Sequence, residues 1–198
     1  PNPLIIASGP PGTNANVTEM MPNPYFGGTV VVGGTLGVGG PLNVAGTVTG
    51  EVNSSFNGVD VGRGGGNIST NTSIGDTALA ANTTGNGNTA VGGFSFYQLT
   101  TGVFNTGLGF GAGFQNTGNY NTAVGYTALY AVSSSSGNTA VGHSALVACT
   151  GDQNIAIGNL SGSLITTGTG NVILGNNTGT SIATATNNIL IADGSGNI

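Results

Sequence analysis

The apolar and polar positions of this chain fall into a beat. From Asn71 onward, a triplet of Thr, Ala and aliphatic residues sits between an asparagine and a glycine, and the unit then returns. It occupies Asn71–Gly75 (NTSIG), Asn88–Gly92 (NTAVG), Asn105–Gly109 (NTGLG), Asn121–Gly125 (NTAVG), Asn138–Gly142 (NTAVG), Asn154–Gly158 (NIAIG) and Asn171–Gly175 (NVILG). An eighth copy at Asn188 (NILIA) keeps the asparagine and loses the glycine. The asparagines are 17, 17, 16, 17, 16, 17 and 17 residues apart. A period this regular defines a repeat architecture.

Two further landmarks share the period. Ala78-Leu79, Ser95-Phe96, Ala128-Leu129 and Ala145-Leu146 follow their asparagines by seven and eight residues, and a G-x-x-N step leads into most asparagines, as at Gly85, Gly102, Gly118, Gly151 and Gly168. Each repeat therefore reads as strand, turn, short strand, glycine-rich turn. A step of this length is too short for a helical pair and suits one coil of a β-solenoid. Gly, Asn, Thr and Val dominate and no stretch has helical periodicity, which argues against helix throughout. The prediction is an all-β chain with a parallel β-solenoid of about eight coils. Stacking sets each Asn about 4.8 Å from the next. There the Asn can accept a left-handed backbone and satisfy turn amides, or bond its neighbours as a ladder. The glycine after each strand, Gly75 through Gly175, is expected to supply positive φ or close backbone approach.

Residues one and three after each Asn share one strand face, and residue two takes the other. In the last coils both faces are apolar: Ile155 and Ile157 against Ala156, Val172 and Leu174 against Ile173, Ile189 and Ile191 against Leu190. A strand apolar on both faces is buried on both. A thin solenoid has one interior, so the second face calls for a partner, most simply the same strand of sister chains around an axis.

The first part of the chain reads differently. Thr29 to Gly46 runs in sixes (TVVVGG, TLGVGG, PLNVAG), and the register weakens at TVTGEV. So few hexads cannot close a single-chain β-helix, but an intertwined triple-stranded β-prism or β-helix would bury them. The expected organisation is an extended N-terminal arm or linker over 1–28, a hexad-repeat trimeric β segment over 29–66, and the repeat domain over 67–198. VDVGRGGGN, Val59 to Asn67, joins the two repeat systems.

Composition narrows the function. The 198 residues include 39 glycines, one cation (Arg63) and six acids, a charged fraction of 4% and a net charge of −5. The usual charged fraction is about 25%. Disorder is nevertheless not expected, because 37% of the residues are hydrophobic and many are aliphatic. One cation cannot neutralise a phosphate backbone or hold an anionic membrane surface, so neither is an expected partner. No stretch is long enough to span a bilayer, and PNPLIIASGPPG lacks the basic region and long apolar core of a signal peptide.

The repeats resemble the β-roll of trimeric autotransporter adhesin heads, whose coils carry a similar N-x-[V/A]-A-I-G signature. More closely, GNTAVGYTAL with its TTG punctuation looks like bacteriophage tail fibres, including those of phages that infect cyanobacteria. In such fibres a sequence like NNILIADGSGNI, here Asn187 to Ile198, leads into an intramolecular chaperone domain that cleaves itself off after trimer assembly. The resemblance covers roughly Gly33 to Ile198. It implies a left-handed coil, a homotrimer, and a fibre at the virion surface, made in the host cytoplasm. Its implied partners are other virion tail or baseplate proteins and a host surface glycan or protein.

Nothing in the chain calls for catalysis, a metal or a cofactor. His143 is the sole histidine, in a variable slot five after its Asn. Cys149 shares its slot with Leu99, Val132, Ile165 and Ile182 and reads as a small buried apolar group. The acids are scattered, whereas glycan cleavage generally uses paired carboxylates. The glycine-rich VGRGGGN and GLGFGAG are not strand-to-helix phosphate loops. DGSGN near the C-terminus reads as an ordinary turn. The binding signal is aromatic: Phe110, Tyr126 and His143 share one slot, Tyr97, Phe114 and Tyr130 another, Phe104 and Tyr120 a third. Such columns form ladders whose exposed rings can stack on sugars, or else cover coil edges and pack between chains. The expected function is a non-enzymatic structural and adhesive fibre module with these eight residues as receptor-contact candidates. The rival readings are a cellular trimeric adhesin head, a polysaccharide-degrading tailspike and, from the column Thr72, Thr89, Thr106, Thr122 and Thr139, an ice-binding solenoid.

Overall fold

The computed structural model describes residues 54–56, 58–131 and 133–193. The expected arm and the hexads from Thr29 to Gly46 lie outside these, as do residues 194–197 of the DGSGN turn. The described part is all-β apart from a single 3-10 turn at Thr180–Ile182. Ten short strands form one sheet in chain order. β1 (Ser54–Phe56) and β2 (Val59–Gly62) make an antiparallel hairpin, and β2 lies antiparallel on β3 (Thr72–Ile74). From there every pairing is parallel: β4 (Thr89–Val91), β5 (Thr106–Leu108), β6 (Thr122–Val124), β7 (Thr139–Val141), β8 (Ile155–Ile157), β9 (Val172–Leu174) and β10 (Ile189–Ile191). The triplets after the asparagines are these strands, and Thr72, Thr89, Thr106, Thr122 and Thr139 stand in register. Eight stacked rungs joined by seven turns form a parallel β-solenoid, which at strand spacing spans about 34 Å.

The asparagines hold the stack. The backbone N–H of each donates to Oδ1 of the Asn one rung earlier, from Asn88 on Asn71 to Asn188 on Asn171, at 2.8–3.0 Å. Each Nδ2 donates forward to the carbonyl three residues before the next Asn: Gly85, Gly102, Gly118, Ser135, Gly151, Gly168 and Ala185 accept in turn. That is the physical content of the G-x-x-N step. The left-handed residue at this corner is not the Asn itself. It is the residue before it: Gly87, Phe104, Tyr120, Gly137, Gln153, Gly170 and Asn187 have φ of 56–70°. The Asn backbone continues into the strand, and only its side chain serves the turn. After the strand, Gly75, Gly92, Gly109, Gly125, Gly142, Gly158 and Gly175 have φ of 99–138°. A Cβ on Gly125 would stand 2.5 Å from the Gly142 carbonyl oxygen, so space and backbone both demand glycine there.

The segment expected to be a second short strand is a turn ribbon instead. Its φ alternates in sign, with Thr77 and Leu79, Phe94 and Phe96, Thr127 and Leu129, and Ser144 and Leu146 at 46–58°. Its amides alternate with it. Ala78, Ala80 and Asn82 donate within the coil to Gly75, Thr77 and Leu79, whereas Leu79 and Ala81 donate across to Ser95 and Tyr97. Left-handed backbone costs an L-residue roughly 1–2 kcal/mol. Leu79, Phe96, Leu129 and Leu146 offset it, because each is fully buried and such burial contributes about 1.5–3 kcal/mol.

The core lies between the ribbon and the inward, second residue of each strand: Ser73, Ala90, Gly107, Ala123, Ala140, Ala156, Ile173 and Leu190. Sizes compensate. Alanine faces Leu129 and Leu146, whereas Gly162 and Gly179 leave room for Ile173, whose Cδ1 lies 3.0 and 3.4 Å from where their Cβ atoms would be. Around Phe96, both Gly107 and Gly113 lack a side chain, and a Cβ on either would strike its ring. Asn82, Asn116 and Cys149 occupy one interior slot and each faces the Asn ladder. The Oδ1 atoms of Asn82 and Asn116 accept from Asn71 and Asn121, and the Cys149 sulfur accepts from Asn154.

Candidate functional site

The corners that make the coil also place its aromatic rings. Phe104 and Tyr120 occupy the left-handed residue just before Asn105 and Asn121, so their side chains leave the coil at its corner. The rings stack at 5.6 Å between centroids and 13° between planes. Phe110, Tyr126 and His143 follow the glycine at the other end of the strand and form a second ladder, at 5.9 and 5.5 Å with 12° and 6°. Tyr97, Phe114 and Tyr130 project from the turn ribbon and form a third, at 5.3 and 4.9 Å with 12° and 7°. Phe104, Phe110, Tyr120 and Tyr126 are each 51–62% exposed. Tyr97, Phe114 and Tyr130 are half-buried, and His143 is exposed.

The structure thus gathers six of the eight candidates into two neighbouring ladders and holds Phe104 and Tyr120 apart at the opposite end of the strand. Phe94 joins the two neighbouring ladders. It lies 5.7 Å from Tyr97, 5.5 Å from Phe110 and 6.2 Å from Phe114, tilted to all three. Sequence reasoning missed it because its slot otherwise holds Thr77, Gly111, Thr127, Ser144 and Leu160. No column of rings announces the position.

The stacking limits what these rings can touch. Near-parallel rings one rung apart partly cover one another's faces, so within a ladder each ring offers solvent its edge and only part of its face. Ring faces are available at ladder ends. His143 ends its ladder with Nδ1 3.1 Å from Asn159 Oδ1. The surface is also without formal charge: between Asp76 and Asp152 the sequence has no Asp, Glu, Lys or Arg.

Among the described residues no group of three His, Cys, Asp or Glu could hold a metal. Asp76 and Asp152 sit on rungs roughly 20 Å apart along the stack, beyond the carboxylate separations that glycosidases use. Cys149 is buried, and its thiol is pushed up to about 11, mainly by burial, against bonds to Gly151 and Asn154 that lower it and with Asp152 adding to the rise. That is the signature of an inert interior thiol. Among the described residues no helix is long and apolar enough to cross a membrane.

The outer strand face is the other unusual surface. Its columns are the first and third strand residues. They run Thr, Thr, Thr, Thr, Thr, Ile, Val, Ile and Ile, Val, Leu, Val, Val, Ile, Leu, Ile from β3 to β10. Ile155, Ile157, Ile189 and Ile191 are exposed there. Compared with protein-family models, with curated proteins and with solved structures, the chain matches none.

Proposed function

We propose that this chain is a structural and adhesive fibre module of a phage virion, a homotrimeric tail-fibre segment that presents its surface to a host-cell receptor and catalyses no reaction. The observation that carries this reading is the outer strand face. The third strand residue is aliphatic on all eight rungs, exposed at Leu108, Ile157 and Ile191 and half-buried on the others, with no charge on the face. Sister chains packed about an axis would cover it. The aromatic columns at the strand ends support the adhesive part, because large uncharged rings at protruding corners suit recognition of a glycan or protein surface. The resemblance to phage tail fibres supplies the setting: a virion surface and attachment to other tail or baseplate proteins.

Absolute mass by light scattering, with SDS gels of unheated samples, tests the assembly. Three chains that resist SDS are expected, and the protein should bind a subset of bacterial cells in a pull-down, cyanobacteria being tried first. A single-chain mass would sink the trimeric fibre. A second reading has one observation in its favour, the five threonines in register on the outer face. If the protein is an ice-binding monomer, it will show thermal hysteresis and a one-chain mass.

A further inference from the structure

The column of residues that precede the asparagines contains a gap beside an open ring. From rung to rung it runs Thr70, Gly87, Phe104, Tyr120, Gly137, Gln153, Gly170, Asn187. Where a rung of this column holds glycine, the side chain of the following rung reaches back toward it: the Phe104 ring lies 2.6 Å from where a Cβ on Gly87 would stand, and Gln153 Cγ 3.4 Å from one on Gly137. Tyr120 stacks on Phe104 with one face, and its other face is turned toward the rung of Gly137, which has no side chain. The three atoms nearest a Cβ at Gly137 all belong to Gln153, and Tyr120 is 62% exposed, the most exposed aromatic ring among the described residues. The other glycines of this column lack that setting. The Phe104 ring itself fills the space at Gly87, where a Cβ would meet it at 2.6 Å, and no ring precedes Gly170.

We propose that the vacant position at Gly137, bounded by the open face of Tyr120, by Gln153 and by the Asp152 carboxylate, binds one uncharged hexopyranose unit of a glycan. This deepens the adhesive reading above and rests on it. Two rung steps separate Tyr120 from Gln153, about 9.6 Å. A sugar ring lying between them needs two van der Waals separations, about 7–8 Å. The apolar face of the pyranose would take the place of the missing ring on Tyr120. Hydrogen-bonding groups stand at the edge of the gap. Asp152 Oδ1 accepts the Ser136 amide at 2.7 Å, which fixes the carboxylate beside Gly137. A carboxylate accepts several hydrogen bonds and so can receive sugar hydroxyls, while the Gln153 amide offers both donor and acceptor. The Gly137 amide is already used on the Asn119 carbonyl at 3.0 Å, so side chains do the recognising. Charge selects against acidic sugars. Asp152 would face their carboxylate, and the chain's one Lys or Arg is Arg63, before the first rung of the solenoid.

The test titrates the full chain with methyl glycosides of glucose, galactose and mannose, followed by saturation-transfer NMR. N-acetylneuraminic and glucuronic acids serve as charged comparators. At least one neutral glycoside should bind saturably, and neither acid should. Gly137→Tyr fills the gap. The fold should accept it, because Phe104, Tyr120 and Gln153 hold side chains at φ of 56–58° in the same column. It should weaken binding by about 10-fold or more, as should Tyr120→Ala. Asp152→Asn should weaken it by about 10-fold. Thr84→Ala, on an exposed turn outside the aromatic columns, should leave it unchanged, and thermal unfolding of each variant checks that it folds. Unchanged affinity in a folded Gly137→Tyr variant, tighter binding of the acids, or no neutral binding at all overturns the proposal. Wild-type adhesion to bacterial cells is scored separately. Adhesion without sugar binding removes the slot and leaves the adhesive reading; loss of both removes both.

Discussion

Asn121 carries four structural bonds on one side chain and one amide. Its N–H donates to Asn105 Oδ1, its Nδ2 to Asn116 Oδ1 and the Ser135 carbonyl, and its Oδ1 accepts from Asn138. Asn121→Ala would orphan the Asn138 amide and the Ser135 carbonyl inside the coil. A buried unsatisfied group costs about 1–3 kcal/mol, so a loss of about 3 kcal/mol is expected by urea denaturation. Asn188 sits at the last described rung, half-buried, and among the described residues accepts from no later asparagine. Asn188→Ala should cost under about 1 kcal/mol, and equal losses at the two sites would contradict a ladder that carries load along its length. Cys149 makes a second residue-scale prediction. Its folded pKa is raised from 9.0 to about 11, so the folded state resists ionisation that the unfolded chain accepts. The contribution is fully present below pH 9 and is lost as pH rises toward 11, on the order of 2 kcal/mol. Cys149→Val, matching its aliphatic slot-mates, should abolish that part of the alkaline decline, measured as the difference in unfolding free energy between pH 8 and pH 11.

At the scale of one coil, stability depends on how neighbouring rungs share volume. Phe96 fills the space that Gly107 and Gly113 leave on the next rung. Phe96→Ala should cost about 3–5 kcal/mol, and Gly113→Leu alone should strain the core by about 1–3 kcal/mol. Leu129 and Leu146 hold the equivalent positions beside alanine strands, so a triple variant with Phe96→Leu, Gly107→Ala and Gly113→Leu would restore the commoner packing. Its destabilisation should be at least about 1 kcal/mol smaller than the sum of the single changes; strict additivity would mean that the rungs do not share the cavity. The same coil shows what was legible in the sequence. The period located every strand from β3 to β10, because an asparagine at a fixed offset marks each strand start, and a glycine each end from β3 to β9, with residues whose roles are stereochemical. The turn ribbon was misread as a strand because Leu79, Phe96, Leu129 and Leu146 are ordinary core residues and nothing in their type signals positive φ. The left-handed corner was assigned to the asparagines, but Phe104 and Tyr120 occupy it, and neither type advertises that backbone. Aromatic slots could be counted off the period. Phe94, which links two ladders across slots, could not, nor could the mutual covering of ring faces.

For the whole solenoid, the deciding fact is the asymmetry between its two sheet faces. The inner face is closed by the turn ribbon and needs nothing more. The outer face leaves Ile155, Ile157, Ile189 and Ile191 at 38%, 44%, 74% and 67% exposure, on the rungs where threonine has given way to aliphatic residues. Burying such a side chain contributes about 1.5–3 kcal/mol, and an axis repeats each contribution in every chain, so the C-terminal rungs should dominate assembly. The interior of the solenoid does not depend on these side chains, since they point away from Ala156, Ile173 and Leu190. Ile157→Asp combined with Ile191→Asp should therefore dissociate the proposed trimer while leaving the coil folded. A lone carboxylate buried without a partner costs several kcal/mol, and the chain has no lysine, with a single arginine, to answer it. Light scattering should fall from three chains to one, with the far-ultraviolet circular dichroism retained. Thr84→Asp, on an exposed turn, should keep three chains. If the double variant stays trimeric, the sister chains meet through another surface, and the outer face with its threonine column is free for a ligand.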